Sequence, residues 1–125
     1  MSNAIIHDVT LPVELTNGND GRGNKWFSSA KIRKAMESLL FGHSRTPWDF
    51  PTRVVVTRIL GPGQRLWDSS SILRGNWKEI EDALVCLGWW HDDGPKWIEK
   101  TEGEQDASQR DNGPAVRVQV YRTES

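Results

Sequence analysis

The chain has 125 residues, a formal net charge of −1 and a single cysteine. This length leaves room for one domain over residues 1–125, and one cysteine excludes an internal disulfide and argues against a zinc site. No stretch approaches the roughly 18 apolar residues of a membrane span, and residues 1–15 lack a signal-peptide pattern. We therefore expect a cytoplasmic protein without membrane contact. Most of the seven tryptophans are expected in the core or in a subunit interface, and one or two of them could instead stack on bases.

The first element in the chain is a predicted strand over residues 9–15, where apolar and polar residues alternate. Pro12 places this strand at a sheet edge or near a bulge. Residues 17–24 are rich in glycine and asparagine, which predicts a polar loop and a candidate binding loop. A helix follows, capped by Ser28 or Ser29 and ended by Gly42. Its apolar stripe consists of Ile32, Ala35, Met36, Leu39 and Leu40.

The middle of the chain predicts an interior strand over residues 53–60, because this segment is apolar and β-branched. A second helix is expected from Asn76, which is a good N-cap residue and forms a capping-box pattern with Glu79. Gly88 is placed to end this helix. The buried stripe of the second helix is expected to consist of Ile80, Ala83, Leu84 and Leu87.

Two strands complete the predicted fold. A short strand is expected over residues 96–101, followed by a polar loop over residues 102–113. Alternating valines over residues 116–121 predict a final, antiparallel strand with one buried face. The element order β-α-β-α-β-β indicates an α+β fold, with a mixed or antiparallel sheet of about four strands and two helices packed on it.

Carboxylates near two predicted turns are the candidates for metal chemistry. Asp92 and Asp93 follow the second helix, and Asp68 lies in the irregular segment before it. Hard oxygen ligands of this kind suit Mg²⁺, but an Asp-Asp-Gly-Pro run is also ordinary turn chemistry. His91 is interpreted as a solvated turn residue rather than a general base. The acidic residues of the second helix are expected on a solvated face, where Asp82 can pair with Lys78 four positions earlier.

Several short motifs, taken in chain order, resemble those of the RusA-like Holliday junction resolvases. The resemblance covers nearly the whole chain in element order and is most specific over residues 78–93. The residues that carry it are Leu11-Pro12, Asn17 with Gly21-Arg22-Gly23, Asp68-Ser69-Ser70-Ser71-Ile72, Lys78, Asp82-Ala83-Leu84, Gly88 and Asp92-Asp93.

The resemblance implies a site of aspartates around Mg²⁺ or Mn²⁺. Asp68 and Asp93 would be catalytic metal ligands beside Asp92, with Lys78 facing the scissile phosphate. The sequence departs from the family at Ser70, which stands where the family has a second aspartate, so a neighbour supplies the missing carboxylate or activity is weakened. The expected DNA contacts come from Asn17, Arg22, Lys25, Lys31 and Lys34, although a solvated helix face also explains the basic run.

The function that the resemblance implies is a homodimeric, Mg²⁺-dependent endodeoxyribonuclease that resolves four-way junctions or other branched DNA. Such enzymes act in DNA recombination and repair, in bacterial or phage-infected cells. A two-fold dimer would match the near-symmetry of a four-way junction. The alternative is a catalytically weakened or inactive module on the same fold that binds branched DNA or a protein, which the substitution at Ser70 favours. A third interpretation is an unrelated α+β interaction domain with tryptophan-rich interfaces.

Overall fold

The structure is a computed structural model that describes residues 4–16 and 29–123. Its elements alternate in the predicted β-α-β-α-β-β order, so the α+β fold class is confirmed. They are β1 (Ala4–Leu11), α1 (Ser29–Leu39), β2 (Thr52–Ile59), α2 (Trp77–Cys86), β3 (Ile98–Asp106) and β4 (Ala115–Arg122), with short 3-10 turns at Phe41–His43, Ser69–Ser71 and Arg110–Asn112.

The four strands form one mixed sheet in the order β1-β4-β2-β3. Strand β4 runs antiparallel to both β1 and β2, and β2 runs parallel to β3. Strand β2 is therefore interior, and the first strand lies at an edge, as predicted. The predicted range of the first strand was wrong, because β1 ends at Leu11. Pro12 has no N–H to donate to a ladder, so Val13 and Leu15 continue the buried alternation outside the sheet.

The core lies between one face of the sheet and the helices. Val54, Val56 and Val118 are fully buried on this face, and Ile80 and Leu84 of α2 pack against them. The stripe predicted for α2 is thus confirmed at its centre. Burial of this kind contributes about 25 cal/mol for each Å² of apolar surface removed from water.

Helix α1 packs against α2 and contributes less to the core than its sequence indicates. Met36 packs against the core and Leu40 is fully buried, whereas Ala35 is exposed and Leu39 keeps 54% of its surface in solvent. The predicted stripe was therefore only partly right.

Strand β3 was predicted too short, and residues 102–106 belong to it rather than to a loop. Glu102 and Glu104 pair with β2 in parallel register along an edge of the sheet, where charged residues remain solvated. Gly103 lies so close to α2's preceding segment that a Cβ there would be 2.7 Å from the Cβ of Ile72. No apolar alternation marks such a strand, because its position depends on pairing with β2.

The two ends of α2 show one confirmed and one wrong prediction. Gly88 ends the helix with a φ of 93°, donating to the Val85 carbonyl at 3.0 Å, while the Trp89 N–H bonds to Leu84 at 3.0 Å. Asn76 occupies the N-cap position, but its side chain makes no capping bond. Its amide instead accepts the Thr16 N–H and donates to the carbonyl of Glu14, both at 2.9 Å, so the capping box is not formed.

Candidate functional site

A lysine surrounded by three carboxylates lies on the exposed side of α2. The Nζ of Lys78 is 3.2 Å from Oδ1 of Asp82 and 3.7 Å from Oε1 of Glu81, and it donates a hydrogen bond to Oδ2 of Asp93. One oxygen from each carboxylate lies within 4.8 Å of the others. We call Lys78, Glu81, Asp82 and Asp93 the acidic cluster. The predicted pairing of Lys78 with Asp82 is confirmed.

Helical spacing explains two of these contacts, and a chain reversal explains the third. Glu81 and Asp82 follow Lys78 by three and four positions, so all three side chains share one helix face. Asp93 reaches them because Gly88 ends the helix and the chain turns back. Trp89 and Trp90, which are 0% and 1% exposed, anchor the turn in the core.

The buried anchor of this turn is an aromatic cluster, which we define as His7, Trp48, Trp89 and Trp90. The ring centroids of the three tryptophans lie 5.7–5.8 Å apart, and His7 meets Trp89 edge-on at 4.8 Å. The indole of Trp89 donates to the His43 carbonyl at 2.8 Å, and that of Trp90 donates to Thr52 at 3.0 Å. Among the six tryptophans within the described residues, four are buried, counting Trp77 with these three, which agrees with the expected core role.

The charged groups of the acidic cluster shift one another's pKa values. The hydrogen bond from Lys78 lowers the pKa of Asp93, and the same bond raises the pKa of Lys78. Burial raises the pKa of Glu81, whose side chain is only 13% exposed, and Lys78 opposes that change. At neutral pH, Asp93 is therefore an ionised carboxylate beside a charged lysine. The prediction of a solvated position for Glu81 was wrong.

Asp92 precedes Asp93 of the acidic cluster, and one of its carboxylate oxygens accepts a hydrogen bond within the turn. Its Oδ1 accepts the Gly94 N–H at 2.7 Å, which is the local bond expected of an aspartate in a turn. Asp92 also borders a shallow depression of about 290 Å³ together with Asp82 and Asp93. The remaining residues that line this depression are Arg33, Val85 and Cys86.

Asp68 and Ser70 lie in the segment that precedes α2. Asp68 comes directly before the 3-10 turn Ser69–Ser71, and its backbone carbonyl accepts the Ser71 N–H at 2.9 Å. Both Asp68 and Ser70 are exposed. The group of mutually close carboxylates found among the described residues consists of Glu81, Asp82 and Asp93, and it does not include Asp68.

Two of the five basic and polar candidates for DNA contact lie within the described residues. Lys31 and Lys34 are exposed on α1, the helix that packs against α2. Asn17, Arg22 and Lys25 fall outside the described residues. Thr16, the last described residue before Asn17, donates its N–H to the side chain of Asn76 at the start of α2.

His91 is exposed, as the sequence predicted, but it is not without partners. Its Nε2 lies 2.6 Å from Oδ1 of Asp49, and its ring packs 4.7 Å from that of Trp97. Asp49 is distant in sequence, and neither partner carries a motif, so no sequence signal marks this pair. The contact explains the orientation of the ring.

Sequence reasoning placed Lys78 and Asp93 in one site and missed Glu81 as a member. The available signal was spacing, because a residue three positions after Lys78 shares its face of the helix.

No protein-family model matches this chain, and no curated protein sequence matches it. Within the described residues, no helix combines the length and apolar character needed to cross a membrane.

Proposed function

We propose that this chain is a Mg²⁺-dependent endonuclease that cuts branched DNA, as the RusA-like resolvases do. The observation that carries the proposal is the contact between Lys78 and Asp93, which lie 15 positions apart in the sequence. The resemblance assigns both residues to one catalytic site. The fold therefore brings together two residues that were selected from sequence motifs alone.

The donor chemistry of the acidic cluster fits a divalent cation. Glu81, Asp82 and Asp93 offer hard carboxylate oxygens close together, which is the ligand type that Mg²⁺ and Mn²⁺ take. A bound ion supplies activation of water and stabilisation of charge on a phosphodiester. Glu81 and Asp82 would supply the carboxylate that Ser70 lacks, with Asp68 and Asp92 as further candidates nearby in the sequence.

The protein's own groups have separable roles in this proposal. Asp93 has a lowered pKa and stays ionised at neutral pH, so it can act as a ligand without first losing a proton. Lys78 keeps its charge and can stabilise negative charge on a phosphate oxygen once its carboxylate partners turn to a metal. The lysine thus holds the carboxylates together in the free protein.

DNA would approach over α1 and the segment that follows Thr16. Lys31 and Lys34 are exposed on the helix next to α2, and Thr16, the last described residue before Asn17, is bonded to Asn76 at the start of α2. Contacts of lysine and arginine with phosphates weaken as salt rises. We further propose that the protein acts as a homodimer on a four-way junction in the cytoplasm of a bacterial or phage-infected cell.

The test is cleavage of a synthetic four-way junction with and without Mg²⁺ or Mn²⁺, comparing the wild type with Asp93→Asn. Metal-dependent nicks that are lost in Asp93→Asn and kept in Asp111→Asn support the proposal. Asp111 is an exposed aspartate in the turn before β4 and serves as the matched control. Cleavage that Asp93→Asn leaves intact would overturn it.

A second function is favoured by the serine at position 70 and by the absence of Asp68 from the cluster of close carboxylates. This function is binding of branched DNA, or of a protein, without cutting. The variant Ser70→Asp separates the two functions, because it adds back a carboxylate. A large gain in cleavage with unchanged binding would identify a weakened active site, whereas salt-sensitive binding without cutting in both proteins would identify a binding module.

A further inference from the structure

The shallow depression beside the acidic cluster also reaches α1. Asp82 lines it from α2, Asp93 lines it from the turn that follows, and Arg33 lines it from α1. Its volume of about 290 Å³ is far above the roughly 15 Å³ that a single water molecule requires. A ligand larger than water can therefore contact these carboxylates and the guanidinium group of Arg33 from one space.

Arg33 is the residue with a positive charge among the described residues that line this depression. Lys78 is not one of them, and its ammonium group is shared among the three carboxylates of the acidic cluster. Val85 and Cys86 add no charge, because burial raises the pKa of the Cys86 thiol and keeps it protonated at neutral pH. Arg33 is thus the cation that an anion in the depression would meet.

The guanidinium group of Arg33 is held only weakly by its own helix. Its Nε lies 3.2 Å from Oε2 of Glu37, one turn further along α1, yet this nitrogen makes no hydrogen bond within the described residues. The two side chains are 38% and 31% exposed, and ion pairs of this kind contribute little because water screens them. Exchanging Glu37 for a phosphate oxygen would therefore cost Arg33 little.

The charges at the depression favour a phosphate only when a divalent cation is bound. Asp82, Asp92 and Asp93 outweigh the charge of Arg33, and the excess of negative charge repels an anion. A divalent cation together with Arg33 balances these three carboxylates, so the repulsion is removed. The guanidinium group then offers a planar fork of donors that matches the oxygens of a phosphate.

We propose that Arg33 binds a backbone phosphate of DNA in this depression, and that it does so only in the presence of a divalent cation. The proposal rests on the proposed endonuclease function and adds a substrate-binding residue from α1 to its site. Lys31 and Lys34 differ from Arg33, because they are exposed on α1 and would contact flanking phosphates without a cation. The competing explanation is that Arg33 only pairs with Glu37.

The experiment measures the binding of a fluorescent four-way junction by anisotropy, with Ca²⁺ or with EDTA, at one ionic strength. Ca²⁺ is used because it also takes carboxylate oxygens. It should strengthen binding by the wild type. Arg33→Gln should lose about tenfold or more of the affinity measured with Ca²⁺, since a charge-assisted hydrogen bond is lost. With EDTA, its affinity should stay within about twofold of the wild type.

Arg117→Gln is the matched control for the lost charge. Arg117 pairs with Asp8 at exposures of 40% and 36%, which are close to those of Arg33 and Glu37, and it does not line the depression. Its variant should bind like the wild type under both conditions. Arg33→Lys keeps the charge and removes the fork, so its affinity with Ca²⁺ should fall between those of the wild type and Arg33→Gln.

Three results would overturn the role of Arg33. They are an unchanged affinity of Arg33→Gln with Ca²⁺, a loss that is equal with Ca²⁺ and with EDTA, and an equal loss in Arg117→Gln. Binding by the wild type that Ca²⁺ does not strengthen would overturn it as well.

Cleavage with Mg²⁺ separates a failure of this proposal from a failure of the proposed function. Arg33→Gln is expected to cut the junction about 10²-fold more slowly than the wild type, while Arg117→Gln keeps the wild-type rate. Normal cleavage by Arg33→Gln, with cleavage lost in Asp93→Asn, would overturn only the role of Arg33. A wild type that does not cut would overturn the endonuclease, and the binding that depends on Ca²⁺ would still decide the role of Arg33.

Discussion

The aromatic cluster and the acidic cluster are neighbours in sequence but opposites in environment. Trp89 and Trp90 are at most 1% exposed, whereas the Asp93 side chain, three residues later, keeps 38% of its surface in solvent. The tryptophans hold the turn by packing and by indole hydrogen bonds, and the carboxylates face a single lysine. One turn therefore has a buried aromatic part and an exposed charged part. Substitutions in the first part should change the stability of the fold, and substitutions in the second should change the charges of the candidate site.

The largest effect is expected when the anchor is removed. Trp89→Ala should lower the free energy of unfolding by about 3–5 kcal/mol, because it leaves a large cavity among Trp48, Trp90 and His7. Denaturant unfolding followed by circular dichroism measures this change. The control is Phe41→Ala, where 72% of the aromatic residue is exposed and the change should stay within about 0.5 kcal/mol. Similar losses in the two variants would contradict the anchoring role.

The next effect is a pH dependence that comes from the aromatic cluster. Burial, together with Arg45 and His43, lowers the pKa of His7 below its ordinary value of 6.5, and Asp8 opposes this shift. The unfolded chain therefore takes up the proton first as the pH falls through about 6.5. This contribution to stability is complete above that pH and is lost below it, towards the lowered pKa of the folded state.

The measurement is the free energy of unfolding between about pH 7.5 and about pH 5.5 for the wild type and for His7→Gln. The wild type should lose more stability than His7→Gln over this interval. Parallel curves for the two proteins would show that His7 does not produce the pH dependence.

The smallest effect on stability is expected in the acidic cluster. Lys78→Met should change the free energy of unfolding by less than about 1 kcal/mol, because the lysine is 58% exposed and such ion pairs are screened by water. The pKa of Asp93 should rise towards its ordinary value once its hydrogen-bond donor is gone, and the pKa of Glu81 should rise further. A carbon-detected NMR titration of the carboxyl groups measures both shifts.

The same variant distinguishes a structural lysine from a catalytic one. If Lys78 acts on the phosphate, junction cleavage should fall by about 10²-fold or more while the fold is kept. Lys100→Met, which removes an exposed lysine from the edge strand β3, is the control for the lost charge. Equal loss of cleavage in both variants would point to long-range electrostatics instead.

The parts of the fold that were predicted from sequence are those with strong local signals. The apolar spacing of Ile80, Ala83 and Leu84 identified α2, Gly88 identified its end, and alternating valines identified β4. The prediction was wrong where neighbours decide the structure. Strand β3 extends to Asp106 because β2 lies beside it, and Asn76 bonds to a distant backbone segment rather than capping its own helix.

The candidate site was predictable only in part, for the same reason. Sequence motifs selected Lys78 and Asp93, and helical spacing accounts for Asp82. The contact of Asp93 with Lys78, the burial of Glu81 and the pairing of His91 with Asp49 all depend on how the chain folds back. The pairing of Arg53 with Glu102 was equally hidden, since a sequence does not show which carboxylate lies beside which arginine.

The sequence by itself determined the order of the elements, because periodicity, turn residues and the end of α2 are properties of short segments. Only the tertiary structure decided which charges meet. Lys78 meets three carboxylates, whereas Arg53 in the interior strand meets one, that of Glu102, although each residue is ordinary in its own segment. Electrostatic interactions act over distances in space rather than along the chain, so the folded backbone sets them.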